Sequence, residues 1–212
     1  MILLVFGKRK TGKTELTRQI SYYLARESLC LVSDPIGQWP GNYARRLEDL
    51  PRMATLPRLI TFCEDEAADV AYTARRLAPN VTIFDEMDFL CSARSWKSDD
   101  GEDICKRGRH IKPGGVGLVL NTQRTTSCHS DLRSLCDKVC VFQMDHPLDL
   151  DAFSGWLGPQ YAEAIERLPQ HHFVMWPDAV VCKLGLNGER AVQMSMSTLL
   201  AQKREPYDDA NG

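Results

Sequence analysis

Residues 7–14 read Gly7-Lys8-Arg9-Lys10-Thr11-Gly12-Lys13-Thr14, a complete match to the pattern G-x-x-x-x-G-K-[ST]. The pattern predicts a phosphate-binding loop (P-loop) where a strand precedes it and a helix follows it. The apolar residues at 2–6 have the length of a buried parallel strand, and residues 14–27 carry apolar side chains near helical spacing. The sequence therefore predicts a strand, a P-loop and a helix in succession. The alternative is a glycine-containing turn that binds nothing, but such a turn would not need this strand and helix around it.

The residue types in this loop suit a nucleoside triphosphate and Mg²⁺. The two glycines allow close backbone approach, so that N–H groups at a helix N-terminus turn toward phosphate oxygens. The Lys13 ammonium supplies a charge for the β- and γ-phosphates, and the Thr14 hydroxyl is placed to bind Mg²⁺. The neighbouring basic residues 8–10 either add positive potential or are solvated. We expect ATP and Mg²⁺ as cofactors, and the expected binding residues are Gly7, Lys10, Thr11, Gly12, Lys13 and Thr14.

The composition is typical of a soluble chain with one core. The chain has 212 residues, of which 43% are hydrophobic and 25% are charged. We expect one P-loop ATPase domain over residues 1–202 and a flexible tail over 203–212. No apolar run approaches the roughly 20 residues that span a bilayer, and the first strand begins at the N-terminus. We therefore expect no membrane span, no signal peptide and a cytoplasmic location.

Charge and cysteine content limit the possible partners. The 26 basic and 28 acidic residues balance, so any contact with nucleic acid is expected to be local. Several of the eight cysteines lie in apolar runs, where a thiol behaves as a small hydrophobe, and we expect them to be reduced. A zinc site of Cys128, His129, Cys136 and Cys140 is an alternative, although its spacing fits no paired C-x-x-C pattern.

Strand and helix patterns alternate along the chain and, together with the P-loop, predict an α/β fold of the P-loop NTPase type. The predicted strands are 2–6, 29–33, 58–62, 80–84, 116–121 and 138–142. The predicted helices are 14–27, a short helix near 44–50, 65–77, 148–158 and 160–168. A C-terminal hairpin is predicted from 171–176 and 179–184. This order implies a mainly parallel central sheet with helices on both faces, and ligands at the carboxyl ends of its strands.

Two carboxylates end the predicted strand 80–84, where they are expected to lie beside the P-loop. Asp85 is placed to hold Mg²⁺, and Glu86 is placed to orient and polarise the attacking water. The alternative is that both acids decorate the positive end of a helix dipole. Gln123 ends the next strand and is predicted to sense the γ-phosphate or the water, whereas capping by Asn121 and Thr122 is the alternative there.

These residues resemble the FtsK/HerA superfamily of nucleic-acid-translocating ATPases. The resemblance covers about residues 1–176 and includes the P-loop, the strand that ends in Asp85 and Glu86, the strand 117–124, and the segments 131–133 and 148–158. Within the superfamily, the chain is most similar to the genome-packaging ATPases of tailless icosahedral viruses with an internal membrane. The turn at 34–37 lacks the lysine that many relatives carry, so no role of that lysine is carried over.

The resemblance implies the RecA-like form of the P-loop NTPase fold. It also implies a homo-oligomeric ring, expected to be a hexamer, with ATP sites between subunits. Such a site needs a cation in trans that stabilises the transition state. Arg107 and Arg109 match the region where relatives carry basic residues, with Arg124 and Arg133 as competitors. The expected catalytic residues are Glu86, Lys13, Gln123, Arg109 and Arg107.

The resemblance also implies double-stranded DNA as the partner. Residues 94–101 are polar and turn-rich, which predicts a projecting loop. Lys97 or Lys106 is expected to meet DNA phosphates, while Trp96 is interpreted as a buried anchor. The adjacent residues His171 and His172 point to opposite faces of a strand, and we interpret them as structural.

The resulting hypothesis is an ATP-driven motor that packages a viral genome into a preformed capsid. It implies capsid or capsid-membrane proteins as partners, and a location in the host cytoplasm or on the virion. The alternative is an assembly or export factor of the filamentous-phage morphogenesis type, which acts mainly on proteins. Relatives of that type tend to carry a membrane span, whereas this chain has no apolar run of that length.

Overall fold

A mainly parallel sheet organises the computed structural model, which describes residues 1–39, 42–44, 49, 58–62, 67–185 and 192–201. Ten strands are present in these ranges, in the order β10-β9-β8-β7-β1-β6-β5-β2-β4-β3. They are β1 Ile2–Phe6, β2 Leu29–Ser33, β3 Asn42–Ala44, β4 Arg58–Phe62, β5 Val81–Phe84, β6 Gly117–Thr122, β7 Lys138–Phe142, β8 His172–Trp176, β9 Val180–Lys183 and β10 Val192–Ser195. Strands β1 to β7 pair in parallel, and β7 to β10 pair antiparallel.

Helices flank this sheet. They are α1 Lys13–Leu24, α2 Ala67–Leu77, α3 Asp99–Arg107, α4 Ser130–Leu135, α5 Pro147–Leu157, α6 Pro159–Arg167 and α7 Met196–Ala201. Short 3₁₀ turns lie at Met87–Phe89, Gly108–His110 and Thr125–Ser127. In the part of the chain that the structure describes, no helix reaches the length and apolar character that a bilayer crossing requires.

Strand β1 shows why helices cover both faces. All five of its side chains are buried, since it lies between β6 and β7 in the middle of the sheet. Ile2, Leu4 and Phe6 join one apolar cluster, whereas Leu3 and Val5 join another. Because successive side chains of a strand point to opposite faces, the two clusters are the two apolar layers on either side of the sheet.

The structure confirms the predicted α/β fold with its mainly parallel sheet, flanking helices and C-terminal hairpin. The bounds of the six predicted strands agree to within one residue. The order of the strands places the exits of β1, β5 and β6 side by side at one edge, and the candidate site forms there.

Two local predictions fail at one end of their range. The short helix predicted near 44–50 fails at Ala44, which belongs to β3, and most of that range lies outside the described residues. The loop predicted over 94–101 gives way to α3 at Asp99. Ser98 starts that helix, since its Oγ accepts a hydrogen bond from the Gly101 N–H at 3.0 Å, and three acidic residues stabilise its first turn.

The extent of the domain stays a prediction, because the tail at 203–212 lies outside the described residues. Strand β10 and helix α7 were not predicted. Strand β10 pairs with β9 and so adds a third strand to the C-terminal hairpin. Strand β10 spans only four residues, Val192-Gln193-Met194-Ser195, which is too short a pattern to distinguish it from a loop.

The described cysteines do not assemble a metal site. The seven described cysteines are free thiols, and no group of three potential metal ligands occurs among the described residues. Cys128 packs in one apolar layer and Cys140 in the other. Since the sheet separates these two thiols, the alternative of a zinc site over 128–140 is wrong.

Candidate active site

The P-loop leaves β1 at its carboxyl end and runs directly into α1. Lys13 is buried and donates hydrogen bonds from Nζ to the carbonyl oxygens of Gly7 at 2.7 Å and Lys8 at 3.1 Å. The Thr11 hydroxyl donates to the same Lys8 carbonyl at 2.8 Å. Burial lowers the pKa of Lys13, while Glu86 and Asp85 act in the opposite direction. The loop is thus closed around its lysine and faces two carboxylates.

Gly12 is required where it stands. Its φ of 112° lies in the left-handed region, and it occupies the N-cap position of α1. A Cβ here would lie 2.8 Å from Leu184 Cδ2 and 3.2 Å from Phe142 Cε1. The loop therefore packs directly against the end of β7 and the C-terminal hairpin, with no room for a side chain.

Asp85 lies across from Thr14, as the sequence predicts for two residues expected to bind Mg²⁺. The Thr14 hydroxyl is 3.3 Å from Asp85 Oδ1, and the Asn121 amide donates to the same oxygen at 2.5 Å. Burial raises the pKa of Asp85, with Trp39, Asn121 and Thr14 partly offsetting this effect.

This pair fits Mg²⁺. Burial disfavours the charge of the Asp85 carboxylate, so a nearby cation would stabilise it. One carboxylate and one hydroxyl suit Mg²⁺, which usually keeps several waters and binds phosphate oxygens in addition. The role of Thr14 and Asp85 as metal ligands stays a prediction.

Asn121 is a contributor that sequence reasoning placed only as a loop cap. It is fully buried and bonds Asp85 on one side and the Thr17 hydroxyl of α1 on the other, at 3.1 Å. The register of β5 and β6 pairs Phe84 with Leu120, which sets the next residues, Asp85 and Asn121, side by side. Asn121 therefore ties the Asp85 carboxylate to the helix that follows the P-loop.

A second carboxylate, missed in the sequence, borders the same site. Asp34 is fully buried at the exit of β2 and accepts backbone N–H bonds from Gly37 at 3.0 Å and Trp39 at 2.7 Å. The turn brings the fully buried Trp39 indole near Asp85, where it favours the charged form of that carboxylate. The Asp34-Pro35 pair marks a turn in the sequence, but only the β2–β5 pairing brings this turn to Asp85.

Glu86 and Gln123 meet at the neighbouring strand exits. Gln123 Nε2 donates to Glu86 Oε1 at 3.2 Å, and both side chains are half-buried. Burial raises the pKa of Glu86, opposed by the Gln123 hydrogen bond and the Lys13 charge. A carboxylate with a raised pKa near a phosphate site is suited to accept a proton from water.

Asp149 fixes the backbone that follows Gln123. It is buried and accepts hydrogen bonds from the Thr125 N–H at 2.9 Å and the Thr125 hydroxyl at 2.6 Å. Helix α5 thereby holds the turn after β6. These hydrogen bonds therefore hold the backbone two residues after Gln123, the predicted sensor, in a fixed position.

The predicted arginines do not join the site within one chain. Arg107 and Arg109 flank Gly108, whose carbonyl accepts the Val116 N–H just before β6. These arginines therefore lie at the end of the sheet where the parallel strands begin, whereas the P-loop lies at the end where they finish. Both side chains are exposed, and Arg107 pairs with Asp103 at 3.2 Å.

The two competing arginines differ from each other. Arg133 donates to the carbonyl oxygens of Thr125 at 2.7 Å and Cys128 at 3.3 Å, so it holds a turn inside its own chain. Arg124 is exposed at the same strand-exit edge as Gln123. Arg107, Arg109 and Arg124 therefore remain candidates for a role in trans.

The basic residues predicted to contact DNA also separate. Lys106 forms ion pairs with Glu102 at 2.7 Å and Asp131 at 2.8 Å. Lys97 is exposed, and its ammonium lies 5.6 Å from the exposed ring of Phe89. In the described residues Lys97 forms no ion pair, so it is the more available of the two lysines.

Residues 91–96 form a small hairpin that carries Lys97 at its base. A β-bridge joins Cys91 to Trp96, and the Lys97 N–H bonds the Leu90 carbonyl at 3.0 Å. Trp96 is half-buried with its ring 4.8 Å from that of His129, in line with its interpretation as an anchor. Arg94 is exposed at the hairpin tip.

No protein-family model and no curated protein matches the chain. Solved structures do. The genome packaging NTPase B204 from Sulfolobus turreted icosahedral virus 2 in complex with ATP-gammaS is 20% identical, with a TM-score of 0.72 over 91% of this chain and 95% of that one. The same protein with AMP is 20% identical, with a TM-score of 0.68 over 82% of this chain and 91% of that one.

A third similar structure is B204, the DNA-packaging ATPase from Sulfolobus Turreted Icosahedral Virus. It is 17% identical, with a TM-score of 0.66 over 91% of this chain and 95% of that one. The chain has the fold of these packaging NTPases. The likeness extends over most of the chain and confirms the P-loop NTPase fold predicted from the sequence.

Proposed function

We propose that the chain is an ATP-hydrolysing motor of the FtsK/HerA type that moves double-stranded DNA into a viral capsid. The observation that carries the proposal is the convergence of Lys13, Thr14, Asp85, Glu86 and Gln123 at one sheet edge. The fold adds support, since the similar structures are described as packaging NTPases, in complex with ATP-gammaS and AMP.

In the proposed reaction, a water oxygen attacks the γ-phosphorus. The bond between the γ-phosphorus and the oxygen that bridges it to the β-phosphate then breaks. Glu86 accepts the water proton, and Gln123 holds the Glu86 carboxylate in place. Lys13 stabilises the negative charge on the β- and γ-phosphates. Mg²⁺, held by Thr14 and Asp85, would neutralise charge on the phosphate oxygens. The products are ADP and phosphate.

The proposal includes a ring, with a hexamer as the expected state. Arg107 and Arg109 lie at the sheet edge opposite to the P-loop, so they can complete a site only on a neighbouring subunit. An arginine supplied in trans stabilises the charge of the γ-phosphoryl group in the transition state. Capsid or capsid-membrane proteins, in the host cytoplasm or on the virion, are the proposed further partners.

The motor proposal predicts that double-stranded DNA stimulates ATP turnover. Since the contact depends on phosphate charges, the stimulation should be greatest at low salt and should fall as salt rises. Turnover is measured with and without duplex DNA over a salt series. Stimulation that is absent at every salt concentration would contradict the motor, while turnover without DNA would still support an ATPase.

Lys97 and Arg94 are the proposed DNA contacts, because both are exposed, one at the base and one at the tip of a hairpin that follows Glu86 by only a few residues. Replacing either with alanine should weaken DNA binding at all sequences and reduce the salt slope by about 1. Duplex affinity over a salt series measures both quantities. Lys106→Ala is the matched control and should leave the slope unchanged. A reduced slope in Lys106→Ala alone would move the contact to α3.

A further inference from the structure

His171 lies against the P-loop from the C-terminal hairpin. Its Nδ1 is 3.5 Å from the point that a Cβ on Gly12 would occupy, next to Leu184 and Phe142. Gln19 of α1 donates to the Gly185 carbonyl at 2.7 Å, which ties the end of β9 to the helix that follows the loop. The hairpin is therefore fixed beside the residues proposed to bind phosphate.

Two features of His171 need an explanation beyond packing. Its φ is 59°, in the left-handed region that non-glycine residues rarely adopt. Its Nδ1 is buried and forms no hydrogen bond within the described part of the chain. A strained backbone and an unsatisfied buried polar atom are both costly, and both are common where a ligand binds.

The backbone around His171 holds this conformation. The His171 carbonyl accepts the Leu184 N–H at 2.8 Å, and the His172 N–H bonds the Pro169 carbonyl at 3.1 Å. The next imidazole behaves differently, because His172 Nδ1 is 3.0 Å from the Gln170 carbonyl and lies in an exposed setting. Only the first of the two adjacent histidines therefore faces the loop with a free nitrogen.

We propose that the Nδ1–H group of His171 donates a hydrogen bond to a phosphate oxygen of the bound nucleotide. This inference rests on the proposed function of the P-loop. Phosphate oxygens are the hydrogen-bond acceptors expected near Gly12, because Lys13 and the N-terminus of α1 both attract negative charge there. The hydrogen bond would satisfy the buried nitrogen and join the C-terminal hairpin to the nucleotide.

The test compares three variants by direct calorimetric binding of a non-hydrolysable ATP analogue and of inorganic tripolyphosphate. His171→Gly removes the imidazole and relieves the positive φ. His171→Asn keeps a polar nitrogen near the Nδ1 position and tolerates the left-handed conformation. His172→Ala is the matched control on the adjacent residue.

His171→Gly should weaken both probes by about tenfold or more, the loss expected for a hydrogen bond to a charged group. His171→Asn should restore most of this affinity, and His172→Ala should bind like the wild type. Wild-type affinity in His171→Gly would overturn the inference while leaving the proposed function in place. So would a loss for the ATP analogue without a loss for tripolyphosphate, since that places the contact on the nucleoside. A wild-type chain that binds neither probe would overturn the proposed function as well.

Discussion

Replacing Lys13 with alanine should abolish nucleotide binding. The Lys13 ammonium is buried beside the P-loop carbonyls and the carboxylates of Asp85 and Glu86, and it is the group proposed to meet the β- and γ-phosphates. Losing two hydrogen bonds to charged oxygens should weaken an ATP analogue by about 100-fold or more. The P-loop would also lose the bonds from Lys13 Nζ to the carbonyls of Gly7 and Lys8.

Lys8→Ala is the control for this variant. Lys8 lies in the same loop, but its ammonium is exposed and pairs with Asp145 at 2.7 Å. An exposed ion pair contributes little, so Lys8→Ala should keep most of the affinity. Calorimetric binding of a non-hydrolysable ATP analogue measures both variants. If Lys13→Ala bound the ATP analogue with an affinity within a few-fold of that of the wild type, the assignment of the P-loop would be contradicted.

The loop that carries Lys13 could be predicted because its signals are local. The apolar run at 2–6, the two glycines and the helical spacing after Thr14 lie within about two dozen consecutive residues. The same holds for Asp85 and Glu86, which directly follow an apolar strand. Position at the end of a parallel strand was enough to expect them beside the P-loop, and the structure brings Asp85 to Thr14.

The support around these residues depends on contacts that are distant in sequence. Asn121 reaches Asp85 only because β5 pairs with β6 in one register, and Asp34 is near only because β2 lies on the other side of β5. A sequence pattern gives the residue types at strand ends but does not give the order of the strands. Asn121 therefore looked like a cap, and Asp34 looked like part of a turn.

His171 shows the same limit at the other end of the chain. Strand periodicity predicts opposite faces for two neighbouring histidines, but β8 begins only at His172, and His171 lies in the turn before it. The contact of His171 with the P-loop arises where the hairpin of β8 and β9 packs on Gly12, about 160 residues earlier. The left-handed φ of His171 also has no signature in the sequence, since glycine and asparagine are the usual residues there.

The arginines illustrate a limit of a single chain. The sequence placed Arg107 and Arg109 as catalytic candidates, and the fold puts them at the edge opposite to the P-loop. Arg133 is used within its own chain, where it bonds two carbonyl oxygens. The proposed ring accounts for exposed arginines on the far edge, because one subunit's far edge can face the next subunit's P-loop.

Glu86→Gln should keep nucleotide binding and lose turnover. Glutamine has the shape of glutamate and can still accept the Gln123 hydrogen bond, so the site should keep its geometry. It cannot accept a proton from the attacking water, and turnover should fall by about 10²- to 10⁴-fold. Single-turnover hydrolysis and binding of a non-hydrolysable ATP analogue, measured on the same preparation, separate the two effects.

Asp88→Asn is the matched control. The charge of Asp88 contributes to the raised pKa of Glu86, but its carboxylate accepts a hydrogen bond from the Thr122 hydroxyl at 3.1 Å. It should keep most of its turnover. Normal turnover in Glu86→Gln would remove Glu86 from the reaction and leave another group as the base.

The pH dependence of wild-type turnover gives an independent reading of the same carboxylate. Burial raises the pKa of Glu86, so its proton-accepting form is lost as the pH falls through a value above that of an ordinary glutamate. Turnover should fall over that range, and the residual turnover of Glu86→Gln should lack this acidic limb. An acidic limb that persists in the variant would show that a different group titrates, even if turnover has fallen. The rate and its pH profile together therefore distinguish a lost base from a disturbed site.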